Sequence, residues 1–158
     1  MMHDSADESR DAIGRPMEIL LVEDSLTAAR VTMGALRKSR IPHRLAWFTD
    51  GSEALEFLHR EGKYVRAPRP DLVLLDLELP GRHGRDILAD LKADDDLRRI
   101  PVVVLTASLA EEDVAAVDRS DVDGYLTKPV DIGQFLELVR KLNRFWHADL
   151  ILPGAAGQ

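Results

Sequence analysis

The run Leu72-Val73-Leu74-Leu75-Asp76 decides the fold. Four consecutive apolar residues are typical of a strand covered on both faces, as in the middle of a parallel sheet. Ligands of open parallel sheets bind outside the carboxyl ends of the strands, so the acid that ends this strand stands in a functional position. The run therefore predicts a parallel α/β sheet with Asp76 at its ligand-binding edge.

Outward from residues 72–76, short apolar runs alternate with amphipathic helical patterns in five successive units, which is the signature of βαβ architecture. The run at 43–48 is the weakest, so we place that strand near an edge of the sheet. The predicted strands are 19–22, 43–48, 72–75, 100–105 and 124–127. The helices predicted to follow them are 26–36, 51–58, 84–92, 111–118 and 132–146.

Length and composition indicate one globular domain. The chain has 158 residues, of which 45% are hydrophobic and 31% charged, and no apolar run approaches the roughly 18 residues of a membrane span. We expect a disordered N-terminal tail at 1–16, one domain at 17–147 and a short C-terminal arm at 148–158. Residues 1–15 are polar and acidic and lack the pattern of a secretory signal, so we expect a cytoplasmic protein that does not enter membranes.

Two features of the composition exclude classes of function. Because the chain has no cysteine, it has no disulfide, no thiolate nucleophile and no thiolate zinc site. A formal charge of −7 argues against nucleic acid as a partner, since nucleic-acid surfaces usually show as a basic stripe. Any metal site must use oxygen or histidine ligands, and we expect the partner to be a protein.

Polar residues follow the predicted strands at one edge of the sheet. Glu23 and Asp24 follow the first strand, Asp76 ends the third, Thr106 the fourth, and Lys128 comes directly after the fifth. Carboxylates crowded together repel one another unless a cation shares the site. Mg²⁺ is typically held by one or two carboxylates and by phosphate oxygens, so this edge is predicted to bind Mg²⁺.

A site of this kind suits phosphoryl transfer, which needs positioning and charge neutralisation more than covalent work by the protein. Asp76 is the predicted nucleophile, and Lys128 and Mg²⁺ would neutralise the charge on the phosphoryl group. The Thr106 hydroxyl would donate a hydrogen bond to a phosphoryl oxygen. A cis peptide at Pro129 would turn Lys128 toward the site.

These residues together resemble the receiver domains of two-component response regulators, from Met17 to about Trp146. The matching motifs are Glu23-Asp24, Asp76 followed by Leu79-Pro80-Gly81, Thr106-Ala107, Tyr125 and Lys128-Pro129. The resemblance implies a flavodoxin-like (βα)5 three-layer sandwich with strand order 2-1-3-4-5. It also implies phosphoryl transfer from a sensor histidine kinase or a phosphotransfer protein.

The resemblance assigns roles by position. Asp24, Asp76 and the main-chain carbonyl of Glu78 would bind the metal directly, and Glu23 would act through water. Thr106 and Tyr125 would form the switch pair. The protein would then be a phosphoacceptor that assists its own phosphorylation and dephosphorylation and signals by a change of shape, rather than an enzyme.

A narrower resemblance is to the single-domain regulators that partner bacterial phytochromes. It is carried by the long segment 61–70, the approach to the fourth strand at 97–101, and Phe145-Trp146. Those relatives typically dimerise through the fourth helix, the fifth strand and the last helix. We therefore expect a homodimer with Leu142, Phe145 and Trp146 at its interface, together with the apolar arm at 150–152.

Three other functions remain open. Asp76-Leu77-Glu78 is similar to the nucleophile motif of haloacid-dehalogenase-like phosphatases, although that family has aspartate where Glu78 stands. A flavin-binding flavodoxin would need a phosphate cradle after the first strand, where this chain has Glu23-Asp24-Ser25. A scaffold that keeps the fold without the chemistry would not need Asp76, Thr106 and Lys128 together.

Overall fold

The computed structural model describes residues 14–77, 79, 84–107 and 122–152. The strands are β1 (Met17–Val22), β2 (His43–Phe48), β3 (Leu72–Asp76), β4 (Val102–Thr106) and β5 (Gly124–Thr127). The helices are α1 (Leu26–Lys38), α2 (Gly51–His59), α3 (Gly84–Ala93) and α4 (Ile132–Lys141). Short 3₁₀ helices occupy Gly62–Tyr64, Leu97–Arg99 and Asn143–Phe145. The helix predicted at 111–118 lies outside the described residues.

The five strands form one parallel sheet in the order β2-β1-β3-β4-β5, which confirms the predicted fold. The strand predicted to be weakest, β2, lies at an edge. In the register of the central strands, Val22 lies beside Leu75 and Asp76 beside Leu105. The carboxyl ends of β1, β3 and β4 therefore meet at the same edge of the sheet.

Each face of the sheet carries its own apolar core, because successive residues of a strand point to opposite faces. In β3, Leu72 and Leu74 join one core while Val73 and Leu75 join the other, and all four are fully buried. Helices α1 and α4 contribute to the first core, and α2 and α3 contribute to the second. The described part of the chain is thus a three-layer α/β sandwich.

The turns after three strands are fixed by polar helix caps. The Ser25 hydroxyl accepts a hydrogen bond from the Ala28 N–H at 3.1 Å, which begins α1 immediately after the acidic pair. Asp50 caps α2 and Asp131 caps α4 in the same way. Each helix therefore starts within a few residues of the preceding strand, and the loops at this edge stay short.

Residues just outside the predicted domain 17–147 contact it at both ends. Arg15, assigned to a disordered tail, forms a bridge with Leu150, and its guanidinium donates to both carboxylate oxygens of Asp71 at 2.8 and 3.0 Å. Leu150, assigned to the arm, is 7% exposed and belongs to the first core. The folded domain thus includes residues on both sides of 17–147.

The last helix is shorter than predicted. It ends at Lys141, and the chain continues as the 3₁₀ helix Asn143–Phe145 rather than as regular α-helix to Trp146. Leu142 marks the junction and is 3% exposed within the first core. Its side chain packs inside its own chain, which leaves little of Leu142 for the predicted dimer interface.

The long connection between α2 and β3 is anchored by an aromatic cluster. Tyr64 packs edge-on against Phe48 and Phe57, with ring centroids 5.6 and 5.5 Å away, and its hydroxyl donates to the Glu53 carboxylate. Val65, next in the chain, remains 65% exposed.

None of the described helices has the length and apolar character needed to cross a membrane.

Candidate functional site

Three carboxylates converge at the carboxyl edge of the sheet. Glu23, Asp24 and Asp76 each offer one oxygen, and these oxygens lie within 4.8 Å of one another, which makes this the one such cluster in the described ranges able to hold a metal ion. Glu23 is fully buried, Asp76 is 3% exposed, and Asp24 is exposed. The three acids therefore converge as the sequence predicted, with one carboxylate facing solvent and two facing inward.

Lys128 approaches these acids from the other side. Its ammonium lies 3.1 Å from Glu23 Oε1 and 3.4 Å from Asp76 Oδ2. Its N–H donates to the Thr106 carbonyl at 2.7 Å, which ties it to the end of β4, and the Lys128–Pro129 peptide is cis, as predicted. One cation thus faces two buried carboxylates.

The ionisation of Lys128 reflects two opposing effects. Burial by itself lowers the pKa of Lys128, but the hydrogen bond to Glu23 and the charges of Asp76 and Glu23 raise it by more. The net pKa lies above the ordinary value for lysine. Lys128 is therefore charged at neutral pH, as charge neutralisation in phosphoryl transfer requires.

Glu23 shows that the site carries more negative charge than the chain neutralises. Burial raises the pKa of Glu23, and a hydrogen bond with Asp76 raises it further, while the bond from Lys128 lowers it. Two buried carboxyl groups this close together repel each other when both are charged, and a divalent cation between them would relieve that repulsion. The donor set is all oxygen, which suits a hard cation such as Mg²⁺.

The predicted switch residues lie on β4 and β5. Thr106 ends β4 and is partly buried, and it pairs with Thr127 across the sheet. Tyr125 lies on β5, opposite Val104, and its hydroxyl is buried without a hydrogen-bond partner among the described residues.

Some predicted site features fall outside the described residues. Glu78, whose carbonyl was expected to bind the metal, is one of them, as are Pro80 and Gly81 of the loop motif. Leu79, between them, is 4% exposed and packs in the second core.

One residue of the site was not identified from the sequence. The Trp47 indole N–H donates to the main-chain carbonyl of Glu23 at 2.7 Å. The available signal was a tryptophan near the carboxyl end of an edge strand, since a partly buried tryptophan usually needs an acceptor for its N–H. Only the register of β2 beside β1 identifies Glu23 as that acceptor.

Comparisons with known proteins agree with this geometry. The model of the response regulator receiver domain matches residues 19–140. The sequence is similar to that of the response regulator Rcp1 of Synechocystis sp., with 43% identity over 145 residues, covering 92% of this chain and 99% of Rcp1. The solved structure of the Mn²⁺-bound form of Rcp1 covers 87% of this chain and 99% of its own, with 44% identity and a TM-score of 0.68.

Two further solved structures are similar. The phosphorylated cyanobacterial phytochrome response regulator RcpA is 41% identical, covers 87% of this chain and 99% of its own, and gives a TM-score of 0.69. The bacteriophytochrome response regulator RtBRR is 35% identical, covers 90% of this chain and 87% of its own, and gives a TM-score of 0.76. With an acidic cluster, a threonine and a lysine at the carboxyl edge of a 2-1-3-4-5 sheet, this chain belongs to the response regulator receiver domain family, the phosphoacceptors of two-component signalling.

Proposed function

We propose that Asp76 is the phosphoacceptor of this chain and that it works with a bound Mg²⁺. The observation that carries the proposal is the convergence of Glu23, Asp24 and Asp76 on one edge with Lys128 facing them. In this proposal Asp24, Asp76 and the Glu78 carbonyl hold the ion directly, and Glu23 holds it through water. When bound, Mg²⁺ supplies positive charge to the equatorial oxygens of the phosphoryl group.

The chain's own residues divide the remaining work. A carboxylate oxygen of Asp76 attacks phosphorus, and the bond from phosphorus to the kinase histidine nitrogen breaks, which leaves a phosphoaspartate and a neutral histidine after proton exchange. Lys128 pairs with a phosphoryl oxygen, and Thr106 donates a hydrogen bond to another. Attack of water on the same phosphorus later releases phosphate, so the domain assists both its own phosphorylation and its own dephosphorylation.

The signal in this proposal is a change in the position of Tyr125. Movement of the Thr106 hydroxyl toward the phosphoryl group frees space that the Tyr125 ring can enter. The surface next to β5 and α4 then changes. A protein that reads this surface would distinguish the two states.

We propose a phytochrome-type histidine kinase as the phosphoryl donor. Its support is the similarity over nearly the whole chain to Rcp1 and to proteins described as phytochrome response regulators. The reaction would take place in the cytoplasm, where such kinases meet ATP. Phosphoryl transfer from an autophosphorylated kinase of this type to wild-type protein, faster than from an unrelated histidine kinase, is the expected result.

We also propose a homodimer that uses the helix predicted at 111–118, β5, α4 and the partly buried Phe145 and Trp146. The partly buried arm residues Ile151 and Leu152 would extend it. Sedimentation velocity at micromolar concentration, with and without a phosphoryl mimic, measures the mass. A monomer under both conditions would contradict the dimer and leave the phosphoacceptor proposal intact.

The direct test of the phosphoacceptor is intact-mass analysis after incubation with Mg²⁺ and acetyl phosphate. Wild type is expected to gain one phosphoryl group, and Asp76→Asn is expected to gain none. Asp50→Asn changes a helix-capping aspartate on the same edge and is expected to gain the group as wild type does. Modification of Asp76→Asn to the wild-type extent would contradict the proposal.

A further inference from the structure

The main chain of Glu23 is held at both polar groups by the last two residues of β2. Its N–H donates to the Phe48 carbonyl at 3.0 Å, and its carbonyl accepts from the Trp47 indole N–H at 2.7 Å. The first bond continues the ladder between β1 and β2, but the second comes from a side chain. β1 ends at Val22, and the Trp47 side chain adds a hydrogen bond between β2 and the peptide that follows Glu23.

That additional peptide is the one that joins Glu23 to Asp24. It lies between the end of β1 and the start of α1 at Leu26, so neither a strand ladder nor a helix fixes its plane. Rotation of this plane would redirect the Asp24 side chain, which is exposed and so has little packing to hold it. The indole bond is therefore placed to set the direction of a predicted metal ligand.

The Trp47 ring is itself fixed. It is partly buried, packs against the first core, and lies beside Leu21 in the register of β1 and β2. A rigid donor is useful here because Glu23, Asp24 and Asp76 repel one another before the ion arrives. Holding ligands in place against their repulsion lowers the reorganisation that metal binding must otherwise drive.

We propose that Trp47 is a positioning residue for the metal site, acting through the Glu23–Asp24 peptide and touching neither the ion nor the phosphoryl group. The inference rests on the proposed Mg²⁺ site and adds to it a residue on the edge strand. It predicts that the indole N–H, rather than the bulk of the ring, determines how tightly the acidic pair binds Mg²⁺.

The chain supplies a matched control, because it has two tryptophans and both donate to main-chain carbonyls. Trp146 donates to the Val139 carbonyl at 2.8 Å, far along the chain from the acidic pair. Trp47→Phe and Trp146→Phe therefore remove the same kind of hydrogen bond at two places. A third variant, Leu45→Ala, weakens the packing of β2 on the first core and leaves the indole bond unchanged.

Isothermal titration calorimetry with Mg²⁺ on these variants separates positioning from stability. We expect Trp47→Phe to bind Mg²⁺ about tenfold more weakly, at the lower end of the loss seen when a group that orients a metal ligand is removed. Trp146→Phe and Leu45→Ala are expected to keep the wild-type affinity within about twofold, although Leu45→Ala unfolds at a lower temperature in EDTA. Wild-type affinity in a folded Trp47→Phe would overturn the inference.

Indole ¹H–¹⁵N NMR decides the question even if Trp47→Phe does not fold. Trp146→Phe retains a single indole N–H, that of Trp47, and its cross-peak is expected to shift as Mg²⁺ is added. A cross-peak that stays still while calorimetry records binding would overturn the inference. If wild type bound no Mg²⁺ at all, the proposed metal site would fail together with the inference, and that outcome is distinct from equal binding by wild type and Trp47→Phe.

Discussion

Two aspartates bracket β3, and they are equally buried but differently surrounded. The side chains of Asp71, just before the strand, and of Asp76, at its end, are each 5% exposed. Asp71 accepts two hydrogen bonds from the Arg15 guanidinium and one from the Glu18 N–H. Asp76 instead lies beside Glu23, another buried acid, with Lys128 3.4 Å away.

The surroundings of the two aspartates indicate different roles: Asp71 stabilises the fold, and Asp76 is placed for the proposed chemistry. At the amino edge the chain provides each buried carboxylate with its own donors, so the charge contributes to folding. At the carboxyl edge two inward-facing acids lie within 3.4 Å of the same lysine, and in our proposal Mg²⁺ adds the further positive charge. The same strand therefore carries an aspartate paired for structure at one end and the proposed phosphoacceptor at the other.

The largest stability effect is expected at the amino edge. Arg15→Ala leaves the buried Asp71 carboxylate with only a backbone donor, and removal of one partner of a buried pair costs about 3 kcal/mol or more in free energy of unfolding. We place the loss near the lower figure because Arg15 is itself 36% exposed. Urea unfolding measures it.

Arg44→Ala is the control for that loss. Arg44 lies on the same edge but is 70% exposed and 3.8 Å from Glu18, so its removal should change stability by no more than about 0.5 kcal/mol. If Arg15→Ala and Arg44→Ala lost the same free energy of unfolding, the structural role given to the Arg15–Asp71 pair would be contradicted.

At the carboxyl edge, Mg²⁺ should stabilise the folded protein by adding positive charge beside the three carboxylates. An ion present at about 100 times its Kd stabilises the protein by about 2.7 kcal/mol, because it binds the folded chain only. Asp24→Asn is expected to lose most of this increment, whereas Asp149→Asn, at the opposite edge, should keep it. Unfolding curves in EDTA and in Mg²⁺ give the increment for each variant.

Backbone packing beside Asp76 gives a third contrast, between two glycines. A Cβ on Gly84 would lie 2.5 Å from the Asp76 carbonyl oxygen and 2.7 Å from Leu77 Cα, which cannot move aside easily. A Cβ on Gly124 would lie 2.7 Å from Leu138 Cδ1, the end of a side chain that can rotate. We expect Gly84→Ala to lose about 1–3 kcal/mol of stability and Gly124→Ala less than about 1 kcal/mol. Thermal unfolding in EDTA measures both, and the reverse order would contradict the packing described.

The smallest effect is a difference in ionisation between two acids. Backbone hydrogen bonds from Leu97 and Asp96 lower the pKa of Asp94 below its usual value of 3.8, whereas burial raises the pKa of Glu23 above 4.5. Asp94 should therefore add stability above pH 3.8 that is lost as pH falls through its folded pKa. The contribution of Glu23 has the opposite sign: it is present below pH 4.5 and lost as pH rises through its folded pKa.

Carboxyl ¹³C NMR of the metal-free protein checks both directions in one pH series. The Asp94 and Glu23 resonances are assigned with Asp94→Asn and Glu23→Gln. Titration of Glu23 at or below 4.5 would mean that its burial does not disfavour its charge.

The sequence predicted the parts of this molecule that depend on local pattern. The apolar run 72–75 identified a central strand, and the strand ends brought Glu23, Asp24, Asp76 and Lys128 to one edge. These predictions were confirmed because consecutive βαβ units place their strands in one parallel sheet. The carboxyl ends of parallel strands then lie at the same edge.

Contacts that depend on distant residues were not predictable in the same way. Arg15 was assigned to a tail because its partners Asp71 and Asp149 lie 56 and 134 positions along the chain. The helical spacing of apolar residues continues to Phe145, yet the chain leaves the α-helix after Lys141, since Leu142 packs inward and a 3₁₀ turn follows. The hydrogen bond from Trp47 to the Glu23 carbonyl could be predicted only with the register of β1 and β2 known.

The most direct test of the division between the two ends of β3 compares Asp71→Asn with Asp76→Asn, each labelled by acetyl phosphate with Mg²⁺ and each unfolded in urea. We predict that Asp71→Asn is phosphorylated like wild type and loses about 1–3 kcal/mol of stability, the cost of leaving buried donors poorly paired. Asp76→Asn should remain as stable as wild type in EDTA and take up no phosphoryl group. Phosphorylation of Asp76→Asn, or loss of phosphorylation in a folded Asp71→Asn, would contradict the assignment of structure to one end and chemistry to the other.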